Sequence, residues 1–371
     1  KPGRQRDKVE TRFGASPPYT VGVEEEFQLI DPRTRALTPK IEEVLAAGDG
    51  ELPEGTLASE LSASCLEVRT PAYASVAELA RALPALRARV RRLAERSGAR
   101  LVSAGAHPFS PAAEQPITGK PRYRKVDEEM GWPARMQAIY GLHVHVAVPG
   151  GEEAVRAVSA LARHVPLFIA LSANSPFWEG RDTRLASVRA KVFGLIPRSG
   201  LPPRFASWEE FVRHVERLVR AGSIRDYTFC WWDVRPHPKL GTVELRAPDA
   251  QTDPGRTAAL AALCQCLAAA AEEFEPEDPL LTEENKWRAT RHGLEAELYD
   301  FSGQRTVAAR RAAEELVGRL LPVARELGCE AELEGVLEIS RSATGADRQR
   351  TVLAREGSLK SVVDYLAEAT A

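Results

Sequence analysis

Apolar and polar residues alternate through much of the first two thirds of the chain. Residues 19–30, YTVGVEEEFQLI, largely follow period two until Asp31-Pro32 stops them, which predicts a strand. Leu66-Glu67-Val68-Arg69 repeats the pattern up to Pro71, and residues 101–106 and 140–148 read as further strands. Between them, Val76, Leu79, Leu83, Leu86, Val90 and Leu93 recur at helical spacing behind Ser75, an N-cap residue, with Pro84 a candidate kink. The turn Pro149-Gly150-Gly151 introduces another helix. Residues 174–205 have no period and are rich in Pro, Gly and Arg, which predicts a functional loop or a run of short elements. Ser207 and Glu210 form a capping-box signature for a helix reaching Ala221. Residues 227–234 and 241–247 read as strands joined by a turn at 235–240, and from Pro254 onward the pattern is helical. These elements predict an α+β fold with a sheet-containing core at 19–250 and a helical part at 251–371. Helices that follow antiparallel strands commonly pack on the same sheet, so 1–371 is counted as a single domain.

Composition narrows the function classes. With 371 residues there is length for a large core, and 50 Lys plus Arg against 52 Asp plus Glu leave a net charge of -2, without the basic excess of a nucleic-acid binder. The five cysteines are odd in number and lack CxxC spacing, which argues against a zinc site and for a reducing, cytoplasmic setting. Cys264 and Cys266 would point about 200° apart on a helix and are read as packing residues. Residues 1–12 are polar, and no uninterrupted apolar run approaches the roughly 18 residues of a membrane span, so no membrane partner is expected.

The chemistry concentrates on the strands. In Glu24-Glu25-Glu26, the outer two carboxylates share a face, where repulsion is costly unless a cation or a proton intervenes; a solvated acidic face is the plainer alternative. His143 and His145 share a face of the next strand, as ligands, phosphate contacts or hydrogen-bonded sheet histidines. Glu244 and Arg246 repeat the spacing and could be a simple salt bridge. Glu60 and Glu67 are seven residues apart and cannot share a face of one unbroken strand, so Ser62-Ala63-Ser64 must bend. Five carboxylates and one imidazole, Glu24, Glu26, Glu60, Glu67, Glu244 and His143, suit more than one Mg²⁺ or Mn²⁺ ion better than zinc. Arg181, Arg184, Arg189, Lys191 and Arg198 fall within 174–205 and could clamp phosphates or carboxylates, or form an exposed face. Cations beside arginines suggest phosphoryl transfer, yet no P-loop sequence or nucleophile motif is present.

The segments VGVEEEFQLID, ELSASCLEVRTP, GLHVHVAVP, SANSPFWEGRDT, TVELRAPDAQTD and ENKWRATRHG occur in this order. Together they resemble the ATP-dependent carboxylate-amine ligases of the glutamate-cysteine ligase type 2 family. The resemblance implies a glutamine-synthetase-like catalytic fold whose curved antiparallel sheet lines a funnel, with ATP and two or more Mg²⁺ or Mn²⁺ ions as cofactors. It implies one metal on Glu26, Glu60 and Glu67 and a second on Glu24, His143 and Glu244. Arg246 is then expected at the transferred phosphoryl group, Arg189 and Arg181 at nucleotide or carboxylate, and His145 at ATP phosphate or substrate. The implied reaction makes an acyl phosphate from a small carboxylate and ATP, then an amide with a small amine, with closure of 174–205 excluding water. Glutamate and cysteine are the family's usual pair, a weak glutamate-cysteine ligase activity is expected, and homodimers or larger assemblies are common. The competing readings are a metal-dependent hydrolase built on the His-x-His strand and a regulatory protein that binds ATP and metal without turnover.

Overall fold

The computed structural model describes residues 10–300 and 303–370. Its principal sheet contains seven strands: β1 (Val21–Ile30), β2 (Leu57–Ser59), β3 (Cys65–Arg69), β4 (Arg100–Val102), β5 (Leu142–Ala147), β6 (Val234–His237) and β7 (Thr242–Leu245). The order is β6-β7-β5-β1-β3-β2, with β4 also pairing β1, and all these pairings are antiparallel. The longest strand, β1, therefore lies between the Glu67 carboxylate of β3 and the histidines of β5. The helices used below are α1 (Val76–Arg96), α2 (Pro121–Met130), α3 (Gly151–Ser172), α4 (Val188–Phe193) and α5 (Pro254–Ala269).

Alternation gives the sheet two unlike faces. On the back, Val21 and Val23 of β1, Leu142, Val144 and Val146 of β5, and Val243 and Leu245 of β7 join α1, α3 and α5 in one buried cluster. That cluster continues into the later helices through Leu320, Leu333 and Val336, so helices beyond residue 251 cover the same sheet as the core segment. Helix α5 is buried on nearly every side, which is why its apolar residues do not form a stripe. Helix α3 is long and apolar enough to cross a membrane, but 72% of its most apolar window is buried inside the protein.

Glu25 points to this apolar back, where α1 brings Arg87 to it, at 2.5 and 3.0 Å. The remaining guanidinium donors bond to the carbonyls of Gln251 and Thr252, which satisfies an otherwise costly buried cation. α1 runs unbroken through Pro84.

Three expectations are corrected. Residues 227–234 are not one strand: Tyr227–Phe229 is a single 3-10 turn, Trp231–Trp232 pairs in parallel with Ser199–Gly200, and the hairpin strand lies further on, across the expected turn. Its Pro236 is tolerated because β6 is an edge strand, where a missing N–H costs no ladder bond. The helical tail is interrupted by the hairpin Glu297–Asp300 and Arg305–Ala308, whose Leu298 and Val307 pair in register and enter the core. Residues 101–106 form a strand only as far as Val102. Beyond it, Gly105 passes so close to the Asp249 carboxyl that a Cβ would overlap it.

Candidate active site

The front of the sheet collects the functional side chains. Glu24 and Glu26 come from β1, Glu67 from β3, His143 and His145 from β5, Arg235 and His237 from β6, and Glu244 from β7. Glu60 lies at the bend after β2, and Arg246 immediately follows β7. All line one cavity of about 310 Å³.

Of three convergent groups whose residues each have an oxygen or ring nitrogen within 4.8 Å of the others, two share no residue. One is Glu26, Glu60 and Glu67; the other is Glu24, His145 and Glu244. The second differs from the expected set, which contained His143. Strand register explains the exchange. His145 stands directly opposite Glu244 on one side and opposite Gly22 on the other, where no side chain blocks its reach towards Glu24. His143 is opposite Glu24 and lies between the groups, with Nδ1 at 3.2 Å from Glu24 and Nε2 at 3.7 Å from Glu26. It also forms a third close set with Glu24 and Glu67.

Electrostatics supports cation binding. Burial pushes the Glu26 pKa up to about 7, against the pull of the Arg189 charge. Glu60 is raised by burial and by the Glu26 charge, and Glu67 by burial and by Glu60 and Glu24. A divalent ion would relieve this repulsion. Burial also acts to raise Glu24, but the adjacent His143 and His145 outweigh it and hold this carboxyl well below its ordinary value. His143 is depressed to about 4 by burial and the Arg246 charge, which keeps it neutral. His145 is fixed through Nδ1 by Thr242 Oγ1 at 3.0 Å, while its buried Nε2 has no hydrogen-bond partner and stands 3.7 Å from Glu24. An imidazole oriented through one nitrogen, with the other directed towards carboxylates, fits a metal ligand.

The arginines divide by what already occupies them. Glu244 receives two hydrogen bonds from Arg235, at 2.7 and 3.2 Å, and another from Arg246; despite burial, these charges hold its carboxyl well below the ordinary range. Arg69 pairs with Glu67 at 2.5 Å and approaches Glu24 at 3.5 Å. Arg189 lies on α4 and is nearly fully buried, with terminal nitrogens bonded to the carbonyls of Ala247 and Arg246. It lines the cavity as a brace behind Arg246, closely packed over Gly141, where a Cβ would overlap its guanidinium. Arg181 does not join the site: it is exposed on a two-residue strand opposite Trp178 and is not part of the cavity wall.

Residues 174–205 contain short strands and α4. Asp249 accepts bonds from the Asn174 N–H and the hydroxyls of Ser175 and Ser187, tying the first half of this segment to the end of the sheet. Arg235 and Arg122 are cavity residues that the sequence reading missed. The first was hidden by neighbouring prolines that resembled a turn; its detectable signal was the Val234-Arg235-Pro236-His237 alternation.

The sheet, its convergent acidic groups and the flanking arginines define a glutamine-synthetase-like ligase architecture. The model of glutamate-cysteine ligase family 2 matches residues 20–365, and the chain belongs to that family. A protein of Rubrobacter xylanophilus named "Putative glutamate–cysteine ligase 2-3" is 99% identical over 98% of this chain and 100% of its own length. A relative numbered 2-1 from the same organism is 47% identical over 98% of this chain and 97% of its own length.

Among solved structures, the bifunctional glutathione synthetase of Pasteurella multocida aligns with a TM-score of 0.70 at 15% identity, over 95% of this chain and 52% of that one. The glutamate–cysteine ligase of Francisella tularensis, in complex with AMP, gives 0.69 at 14%, over 96% and 89% respectively. These low identities establish a shared fold. With the family assignment, the chain is an ATP-dependent carboxylate-amine ligase that forms carbon–nitrogen bonds and uses a divalent metal. Neither the hydrolase nor the non-catalytic alternative is supported.

Proposed function

We propose that the protein activates L-glutamate with ATP as an acyl phosphate and joins it to an amine, L-cysteine being the first acceptor to test. The observation that carries this reading is the convergence of Glu26, Glu60 and Glu67 beside Glu24, His145 and Glu244, flanked by Arg246. Glu26, Glu60 and Glu67 are assigned one Mg²⁺ or Mn²⁺, and Glu24, His145 and Glu244 a second, with His143 between them. Bound there, such cations would supply the positive charge that neutralises phosphate.

Arg246 is assigned to the charge of the phosphoryl group in transfer, and Arg235 to keeping Glu244 ionised and fixed in place. Arg189 is assigned to holding the backbone on either side of Arg246. In this scheme the glutamate carboxylate attacks the terminal phosphorus of ATP, ADP leaves, and the amine then displaces phosphate from the acyl carbon. No step requires a nucleophilic side chain, because positioning and charge neutralisation carry phosphoryl transfer.

The test is ADP release by the purified protein with Mg²⁺, ATP and L-glutamate across a panel of amines, with Glu26→Ala as control. Amine-dependent release that disappears in the control is expected. Release independent of both acid and amine, or retained in Glu26→Ala, would overturn the reading.

A further inference from the structure

Five arginines line the catalytic cavity, Arg69, Arg122, Arg189, Arg235 and Arg246. Four are committed to the protein: Arg69 to Glu67, Arg235 and Arg246 to Glu244, and Arg189 to two backbone carbonyls. Among the described residues, Arg122 has neither an ion pair nor a side-chain hydrogen bond. Its guanidinium lies over the Phe229 ring, 4.9 Å from the centroid, and the residue is exposed at the cavity rim.

What surrounds Arg122 specifies the chemistry it can serve. Arg122, Val126 and Met130 recur every four residues along α2 and all line the cavity, so they form one inward stripe with a cation at one end and apolar groups along the rest. Ala134, Phe193 and Ile196 extend the apolar wall. A matching ligand carries an anionic group and an apolar body separated by about one helical turn, roughly 5 Å. The acid substrate is a poor match, because glutamate places its reacting carboxylate at the acidic groups and has only polar groups beyond its short chain. An α-amino acid acceptor with an apolar or thiol side chain fits: its carboxylate meets Arg122, its side chain meets the wall, and its amine is left to react.

We propose that Arg122 is the specificity-determining residue for the amine substrate, binding the carboxylate of an α-amino acid whose side chain packs against Val126, one helical turn away. The proposal rests on the ligase reading above.

The experiment compares wild-type protein, Arg122→Ala and Arg122→Lys on L-cysteine and on cysteamine, the same acceptor without its carboxylate. In Arg122→Ala, kcat/KM for L-cysteine should fall roughly 10- to 100-fold, the range expected for losing a charge-assisted contact, chiefly through KM. The value for cysteamine and the KM values for ATP and L-glutamate should not change, and Arg122→Lys should recover part of the loss. Among wild-type acceptors, leucine and methionine should outperform aspartate and lysine. An equal loss for both amines, a KM change falling on L-glutamate, or no change at all overturns the assignment.

Calorimetric binding of L-cysteine and L-leucine to the protein loaded with Mg²⁺ and a non-hydrolysable ATP analogue gives a readout independent of turnover. Binding that weakens in Arg122→Ala and is partly restored in Arg122→Lys supports the assignment even if the wild type forms no product, an outcome that would overturn the ligase reading alone. Unchanged binding in Arg122→Ala, or none in the wild type, overturns the assignment.

Discussion

Arg235 and Glu244 stand directly opposite each other across the β6–β7 hairpin, and their side chains join through two hydrogen bonds of 2.7 and 3.2 Å. Both are almost fully buried, so the pair is stable only while each partner compensates the other. Arg235→Met should cost about 3–5 kcal/mol, because the remaining Arg246 contact cannot replace the lost fork. The double variant Arg235→Met/Glu244→Gln should recover much of that stability in urea unfolding. Additive losses would show that the two residues are not coupled.

The pair on the back of β1 should behave differently in function. Glu25 and Arg87 are buried, yet Glu25 faces away from the catalytic cavity while Glu24 and Glu26 face into it. Arg87→Met leaves an unpaired buried carboxylate and should also destabilise by about 3–5 kcal/mol. At a temperature where the variant remains folded, KM for ATP should stay close to wild type. A large rise in that KM with unchanged stability would place Arg87 in substrate binding.

These two pairs show how far the sequence could be read. Period-two alternation was enough to put Glu24 and Glu26 on one face, His143 with His145, and Glu244 with Arg246. The bend required between Glu60 and Glu67 is also present, as the turn that separates β2 from β3. Which histidine joins Glu244 depends on register between strands distant in sequence, and alternation carries no register information. Arg235 was lost because prolines on an edge strand resemble those of a turn. Glu25 and Arg87, 62 positions apart, leave no local trace of their pairing.

Acid should weaken the fold through His107. Its Nδ1 accepts a bond from the Ser110 N–H at 3.0 Å, its Nε2 donates to the Arg35 carbonyl at 2.9 Å, and burial depresses its pKa from 6.5 to about 4. The unfolded chain therefore binds this proton more readily than the folded one. The stabilising contribution is complete above about pH 6.5 and is lost as pH falls towards 4, with an upper bound of roughly 3 kcal/mol. His164, also depressed to about 4 by burial, acts in the same direction. His107→Asn should be less stable than wild type at pH 7.5 but lose less on acidification, read from urea midpoints at pH 7.5 and 4.5. Equal acid losses in both proteins would assign the effect elsewhere.

Glu60 separates the demands of folding from those of catalysis. Its raised pKa comes from burial and then from the Glu26 charge, so without a cation the folded state holds mutually repelling carboxylates. Glu60→Gln removes one of those charges and should raise the melting temperature measured in EDTA. The same change removes a proposed metal ligand, so the added stabilisation that Mg²⁺ or Mn²⁺ gives the wild type by binding only the folded state should shrink sharply. Metal-dependent ADP release should fall by more than the roughly 10- to 100-fold caused by losing a hydrogen-bond partner of a ligand. A variant less stable in EDTA yet fully responsive to Mg²⁺ would show that Glu60 serves the fold and not the cation.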